Sequence, residues 1–235
     1  MRELQTAAVL GYPRCGEQDT LVVWEILKSV SWLLDSQYQR KFTVTLLATE
    51  GGHITMQMGA EVVPEGILGD GDLYDLFYVP GGLGSGDAIK SHKIRDAIRR
   101  HHRAGRLVAS NCTGCGILHR AGILGDVPVT AAPTISRRLR EEGTKVVNPR
   151  RMWLGVPEAN LWTTAGGSGV HASTVALVCH YFGREIGKKI AMMWDTMPRL
   201  GESALFHLEG PEYYTYPEGE RDVQRQFEDQ LLPRL

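Results

Sequence analysis

Short apolar runs alternate along the chain with longer segments in which apolar residues recur every three or four positions, the pattern of a parallel sheet covered by helices on both faces. The first run, Ala7 to Tyr12, predicts a strand. Leu21, Trp24, Ile26, Leu27 and Val30 then mark one face of a helix beginning near Asp19. Phe42 to Ala48 predicts the second strand. His53-Ile54-Thr55-Met56-Gln57-Met58 alternates strictly between Gly51-Gly52 and Gly59, which predicts a small β excursion. Further strands are expected at Leu76 to Val79, Leu107 to Ser110, Val127 to Ala131 and Leu161 to Thr164. Helices are expected at Asp87 to Ala104, from Thr113 onward, at Ser136 to Glu142 and from Val170 into Arg184.

Two junctions carry chemistry. The Leu76 to Val79 run passes directly into Pro80-Gly81-Gly82, so the chain turns at a strand's carboxyl end, where open α/β sheets place their ligands. Leu107-Val108-Ala109-Ser110 passes with almost no loop into Thr113-Gly114-Cys115-Gly116, which puts Cys112 on a tight strand-to-helix turn. Free amides and the macrodipole at a helix start stabilise a thiolate, the form that attacks carbon. The Thr113 N–H, with Gly81 and Gly82 at the neighbouring strand end, would then be oxyanion donors. A buried structural cysteine is the plain alternative.

Composition narrows the function classes. With 235 residues, 26 Lys+Arg against 27 Asp+Glu and a net charge of -1, the chain has no electrostatic footprint for nucleic acid or an anionic membrane. The basic stretch Arg95 to Arg106 is spaced as a solvated helix face, with His101 and His102 expected at the surface. No apolar run approaches the roughly 20 residues needed to span a bilayer. The opening residues do not read as a signal peptide, so a cytoplasmic location is expected. Cys15, Cys112, Cys115 and Cys179 are too few and too unevenly spaced for a disulfide scaffold. Residues 1–200 read as one α/β domain. Residues 201–235 turn to Glu, Pro and Tyr and then to a charged helical segment, Glu218 to Leu232. They are expected to pack on the same domain or on a partner subunit, and are too short for a helix-turn-helix domain.

Val79-Pro80-Gly81-Gly82, the run Ala109-Ser110-Asn111-Cys112-Thr113-Gly114-Cys115-Gly116-Ile117-Leu118, and Ala121-Gly122-Ile123-Leu124 together resemble the nucleophile elbow of the ThiJ/PfpI superfamily. Tyr12-Pro13 followed by Asp19 and Trp24-Glu25-Ile26-Leu27, and the later Thr164-Ala165-Gly166-Gly167, are similar to its isonitrile hydratase branch. The resemblance spans residues 6 to 195. It implies a flavodoxin-like three-layer sandwich with a mostly parallel central sheet, assembled as a homodimer, needing neither metal nor organic cofactor. It further implies a lyase in which Cys112 is the nucleophile and Asp19 the general acid/base, hydrating or hydrolysing a small electrophilic carbon, most closely an isonitrile going to an N-substituted formamide. Thr113 stands where protease-like members carry His, and Ala132 where several members hold a histidine beside the thiol, so a peptidase or deglycase mechanism is not expected. Val22-Val23 in place of Gly-Pro, together with Ala132 and the Tyr-rich extension, points to a divergent pocket and a specialised metabolite as substrate.

Other roles stay open for individual residues. Asp19 can be a helix N-cap, and Glu17 is a nearby alternative carboxylate. The Thr113 hydroxyl can orient water or simply occupy a first turn. Cys112 and Cys115 form a Cys-x-x-Cys, a pattern compatible with thiol exchange, whereas zinc would need a second ligand pair. His171, after Gly166-Gly167-Ser168-Gly169, can replace the missing histidine or merely begin a helix. His53 can reach the site through the β excursion or from a partner. Trp24 can line the pocket, or pack in core or interface as Trp32, Trp153, Trp162 and Trp194 are expected to. Two functions compete with the hydratase: a thiol redox or stress-sensing protein, and a non-catalytic small-molecule binder of the same fold.

Overall fold

Strand β1 (Thr6–Gly11) is buried along its length apart from a half-buried first residue, and β6 (Leu76–Val79) and β7 (Leu107–Asn111) are buried throughout. Continuous apolar runs of this kind belong to strands covered on both faces. The computed structural model describes residues 4–196, 203–213 and 222–234. Its main sheet has seven strands in the order β5-β2-β1-β6-β7-β9-β8, where β2 is Thr43–Ala48, β5 Gly66–Ile67, β8 Trp153–Val156 and β9 Leu161–Thr164. All pairings in it are parallel except β8 with β9. Helices α1 (Val23–Tyr38), α6 (Val170–Phe182) and α7 (Arg184–Met193) pack together in one layer. Helices α2 (Ser85–Ala88), α3 (His92–Arg103), α4 (Gly114–Ala121), α5 (Pro133–Glu141) and α8 (Asp222–Leu231) form another. The result is the flavodoxin-like architecture.

Local chemistry moves several predicted boundaries. A five-residue π-helical turn, Gln18–Val22, precedes α1. The basic helix is two helices, because Ser91 caps α3 by accepting the Ile94 N–H at 3.4 Å. Helix α5 begins early, with Pro133 in its first turn. The expected long helix stops at Phe182, since Gly183 has φ 85°, and α7 follows. Val127 to Ala131 makes only an isolated bridge, Val129 to Val146; the Thr130 N–H goes to the Thr163 side-chain hydroxyl at 3.0 Å rather than to a backbone carbonyl. The β excursion is real but short, with β3 (Ile54–Thr55) antiparallel to β4 (Glu61–Val62).

Two later segments complete the body. Gly155 N–H donates to the Leu208 carbonyl at 2.8 Å and Gly210 N–H to that of Trp153 at 3.0 Å, so residues 203–213 cover the free edge of β8. Helix α8 lies against α2 and α5. The Tyr-rich stretch from Tyr214 and the predicted helix start at Glu218 lie outside the described residues. Among the described residues no helix is long and apolar enough to cross a membrane.

His101 is not a surface residue. It is fully buried, stacked on Phe77 with ring centroids 4.3 Å apart, and accepts the Tyr74 N–H at 3.0 Å through Nε2. Its Nδ1 must then carry the proton donated to the Ala97 carbonyl at 2.7 Å, which leaves the ring neutral. The basic helix is tied down as well: Arg99 donates to the Ala121 carbonyl at 2.9 Å, and the nearby Arg106 pairs with Asp75.

Burial holds the His101 pKa below its ordinary value. Above about pH 6.5 both folded and unfolded states are neutral there; below it the unfolded chain gains a proton that the fold excludes, so stability is lost as pH falls. Urea titrations across this range should show that loss in the native chain and a flatter profile in His101→Gln, which still accepts from Tyr74. Equal acid sensitivity in both proteins would remove His101 as its source.

Candidate active site

The carboxyl ends of β1, β6, β7 and β9 meet at Cys112. Its φ is 52°, a left-handed conformation that costs a non-glycine residue about 1 kcal/mol or more. The surroundings over-determine it. Cys112 N–H donates to the Thr164 carbonyl at 3.0 Å, and the Cys112 carbonyl accepts the Ala132 N–H at 3.2 Å. A Cβ on Gly166 would overlap that of Cys112, and one on Gly81 would stand 2.7 Å from it. Both glycines are therefore demanded by the space the elbow occupies.

Asn111 clamps the turns around it. This fully buried amide accepts the Gly81 N–H at 2.8 Å and donates to the Asp19 carbonyl at 2.8 Å, joining the β7 end to both neighbouring turns. Thr113 Oγ1 accepts the Gly82 N–H and the Ser85 hydroxyl, each at 2.9 Å. The Gly81 and Gly82 amides are thus engaged by side chains of the elbow rather than pointing at the sulfur. The donors that do face the sulfur belong to Thr113, its N–H first and then its hydroxyl. The Thr113 hydroxyl serves chiefly as the knot of this network.

Asp19 is buried inside the π-helical turn, not at a cap. Its carboxylate faces Cys112 and accepts the thiol's hydrogen bond. Burial raises the Asp19 pKa to about 6, although the thiol contact pulls the other way. The Cys112 thiol is itself pushed well up, first by burial and then by the Asp19 charge; the Thr113 N–H opposes this and loses. The helix start therefore does not produce the depressed thiol expected from the sequence. Above about pH 6 the pair holds one proton, on sulfur, with a carboxylate base in contact.

A cleft of about 250 Å³ opens onto Cys112 and Asp19, with Gly82, Thr113 and Gly167 on its walls. His171 lies instead in a neighbouring cleft of about 560 Å³, edge-on to Trp194 and 3.3 Å from Thr196 Oγ1; the two clefts share Gln18. His53 is exposed, 4.0 Å from Glu61, and lines neither cleft. Trp24 donates to Glu65 at 3.0 Å away from both. Glu17 accepts the Met58 N–H at 2.8 Å, pinning the β excursion. Cys115 is buried in α4, its thiol pushed up to about 12. Ala132 packs on the elbow through its backbone and brings no imidazole. Among the described residues, no group of three or more His, Cys, Asp or Glu is placed to hold a metal.

Sequence reasoning misses Asn111, Gln18, Gln57, Thr134 and Leu231. Asn111 has a readable signal, because an amide at the end of a buried strand must find partners. Gln57 arrives through the β excursion, its amide accepting the Leu83 N–H at 3.1 Å, and Leu231 comes from α8. No local pattern announces either.

A model of the DJ-1/PfpI family matches residues 6–177. Protein dj-1beta of Drosophila melanogaster is 21% identical over 191 residues, covering 80% of this chain and 95% of that protein. Its crystal structure superposes with a TM-score of 0.69 at 20% identity, covering 82% of this chain and 97% of that one. Toxoplasma gondii DJ-1, solved in oxidised form, gives 0.67 at 18% identity, covering 80% and 96%. A ThiJ/PfpI family protein from Pseudomonas syringae gives 0.75 at 18% identity, covering 99% of this chain and 90% of that one. At these identities the structural likeness is one of fold.

Because the Asp19 pKa is raised from 3.8 to about 6, the folded protein holds a proton between those values that the unfolded chain has released. Stability therefore falls as pH rises across the window, and ionised Asp19 costs the fold roughly 3 kcal/mol above it. Asp19→Asn should raise the urea midpoint at about pH 8 and lose that advantage near pH 4. A gain of the same size at both would refute a burial cost on the carboxylate.

Proposed function

Because the chain belongs to the DJ-1/PfpI family, we propose that it acts through one reactive thiol, Cys112, whose proton Asp19 accepts. The observation carrying this reading is the contact between a buried carboxylate and a thiol that opens onto a cleft. Cys15, Cys115 and Cys179 are buried, so Cys112 is the cysteine a small molecule meets. The working assembly is taken to be a homodimer.

The relatives weigh toward thiol redox or stress sensing. In that chemistry an oxidant such as hydrogen peroxide takes Cys112 to the sulfenic and then the sulfinic acid. In this reading the Thr113 N–H, which donates to the sulfur, would hold one oxygen of the oxidised group, and protonated Asp19 would donate to another. The oxidised Toxoplasma gondii relative supports this reading. Exchange through a Cys112–Cys115 disulfide has less support, because Cys115 is sealed in the core.

Hydration of a small electrophile is the second reading, carried by a carboxylate that titrates at about 6 and so can give and take a proton near neutrality. Cys112 would add to the terminal carbon of an isonitrile while its proton passes through Asp19 to the substrate, giving a thioimidate. Asp19 would then take a proton from water as the water adds to that carbon, pass it to the nitrogen, and carry the new hydroxyl's proton to the departing sulfur. Expulsion of the thiol leaves the N-substituted formamide, with one water consumed.

Intact-mass measurement separates these readings. Peroxide should leave one or two oxygens more on the native chain than on Cys112→Ala, whose exposed methionines set the background; an isonitrile should instead be turned over repeatedly if the chain is a hydratase. Alkylation of Cys112 should accelerate as pH rises through about 6, and Asp19→Asn should move that rise to higher pH. A profile unchanged by Asp19→Asn would remove the carboxylate from the mechanism, and an inert Cys112 would remove the reading altogether.

A further inference from the structure

Helix α8 reaches the cleft from far along the chain, and Leu231, its last residue, is buried and forms part of the wall of the cleft that Cys112 also lines. The segment is held as few surface helices are. The buried Arg138 guanidinium donates to Asp229 at 2.6 Å and to the Leu232 carbonyl at 3.1 Å, and it pairs with Glu228 at 3.3 Å. Glu228 is only 3% exposed and is also bound by Arg137. Arg120 donates to the Pro233 carbonyl at 2.7 Å. On the other side the backbone of α2 comes so close that a Cβ on Gly86 would overlap the Gln230 carbonyl. A Cβ on Gly116 would stand 3.1 Å from Leu232. Arg120 and Gly116 belong to α4, the helix that begins just after Cys112, so wall and nucleophile are set on the same support.

We propose that Leu231 is the specificity-determining residue of the cleft, a fixed apolar stop that admits compact electrophiles or oxidants to Cys112 and excludes bulky ones. The inference rests on the reading of Cys112 as the reactive thiol and adds the size class of what reaches it. A wall anchored by the buried Arg138–Glu228 pair on one side and by close backbone contact on the other cannot retreat from an oversized group without breaking them. The cleft, about 250 Å³, falls below the roughly 300–1,000 Å³ of sites for drug-sized ligands. It suits a molecule of roughly ten heavy atoms or fewer.

The test compares two thiol reagents on the full chain, iodoacetamide as the compact probe and N-(1-pyrenyl)maleimide as the bulky one, with Cys112→Ala as background. In Leu231→Ala the pyrenylmaleimide rate should rise by about tenfold or more while the iodoacetamide rate stays within about twofold. Leu231→Phe should shift the ratio of the two rates the other way. If Leu231→Ala does not fold, Leu231→Val carries the same comparison with a smaller shift. A ratio unchanged in all variants overturns the proposal, as does equal acceleration by both reagents, which would mean general opening of the helix. A native Cys112 inert to iodoacetamide overturns the reactive-thiol reading and this inference with it. A reactive Cys112 with an unchanged ratio overturns this inference alone.

Discussion

Cys112 can hold its left-handed backbone only because Gly81 and Gly166 leave no Cβ in the space it occupies. The rest of the site follows from that constraint. With the elbow set, Asn111 just before it lies within hydrogen-bond reach of two turns at once, and its amide draws the Pro-Gly-Gly turn and the Asp19 turn toward the sulfur. Thr113 just after it does the same for Gly82 and Ser85. Three successive residues thus join the ends of three strands, with one backbone strain at the centre and buried hydrogen bonds on either side that offset it.

The electrostatics of the pair show what this enclosure does. Burial raises both acids, but near neutrality only the carboxyl, at about 6, has given up its proton, so the thiol remains protonated against a carboxylate able to accept it. The reactive state is drawn out by an incoming electrophile or oxidant rather than standing ready in solution. A permanently exposed thiolate would react with whatever arrives, whereas a thiol that must pass its proton to Asp19 reacts where the cleft can accommodate the partner.

Much of the fold was legible because two-sided burial makes strands largely apolar; β1 and β6 show it most fully, and β2, β7 and β9 over part of their length. The elbow was legible for the same reason, as a buried run that passes into a helix without a loop. Strand β8 escapes this reading because Gly155 interrupts its short apolar run and its outer edge is paired by residues 203–213, well downstream. His101 illustrates identity overriding position: it falls in register with Ile94, Ala97 and Ile98 on the buried face of α3, so the periodicity pointed inward while the residue type suggested the surface. Asp19, Cys112 and Thr113 sit in local motifs. Gln57 and Leu231 reach the site only through folding at long range, which no window along the chain contains.

The origin of that last wall residue has a consequence for biosynthesis. A ribosome makes Leu231 after every strand of the sheet, and only the docking of α8 brings it beside an elbow built from residues around position 112. During synthesis the sheet can form and the thiol can settle against its carboxylate while one side of the cavity still stands open. On that order of events the cysteine is assembled before it is sheltered, and selectivity waits on the docking of α8.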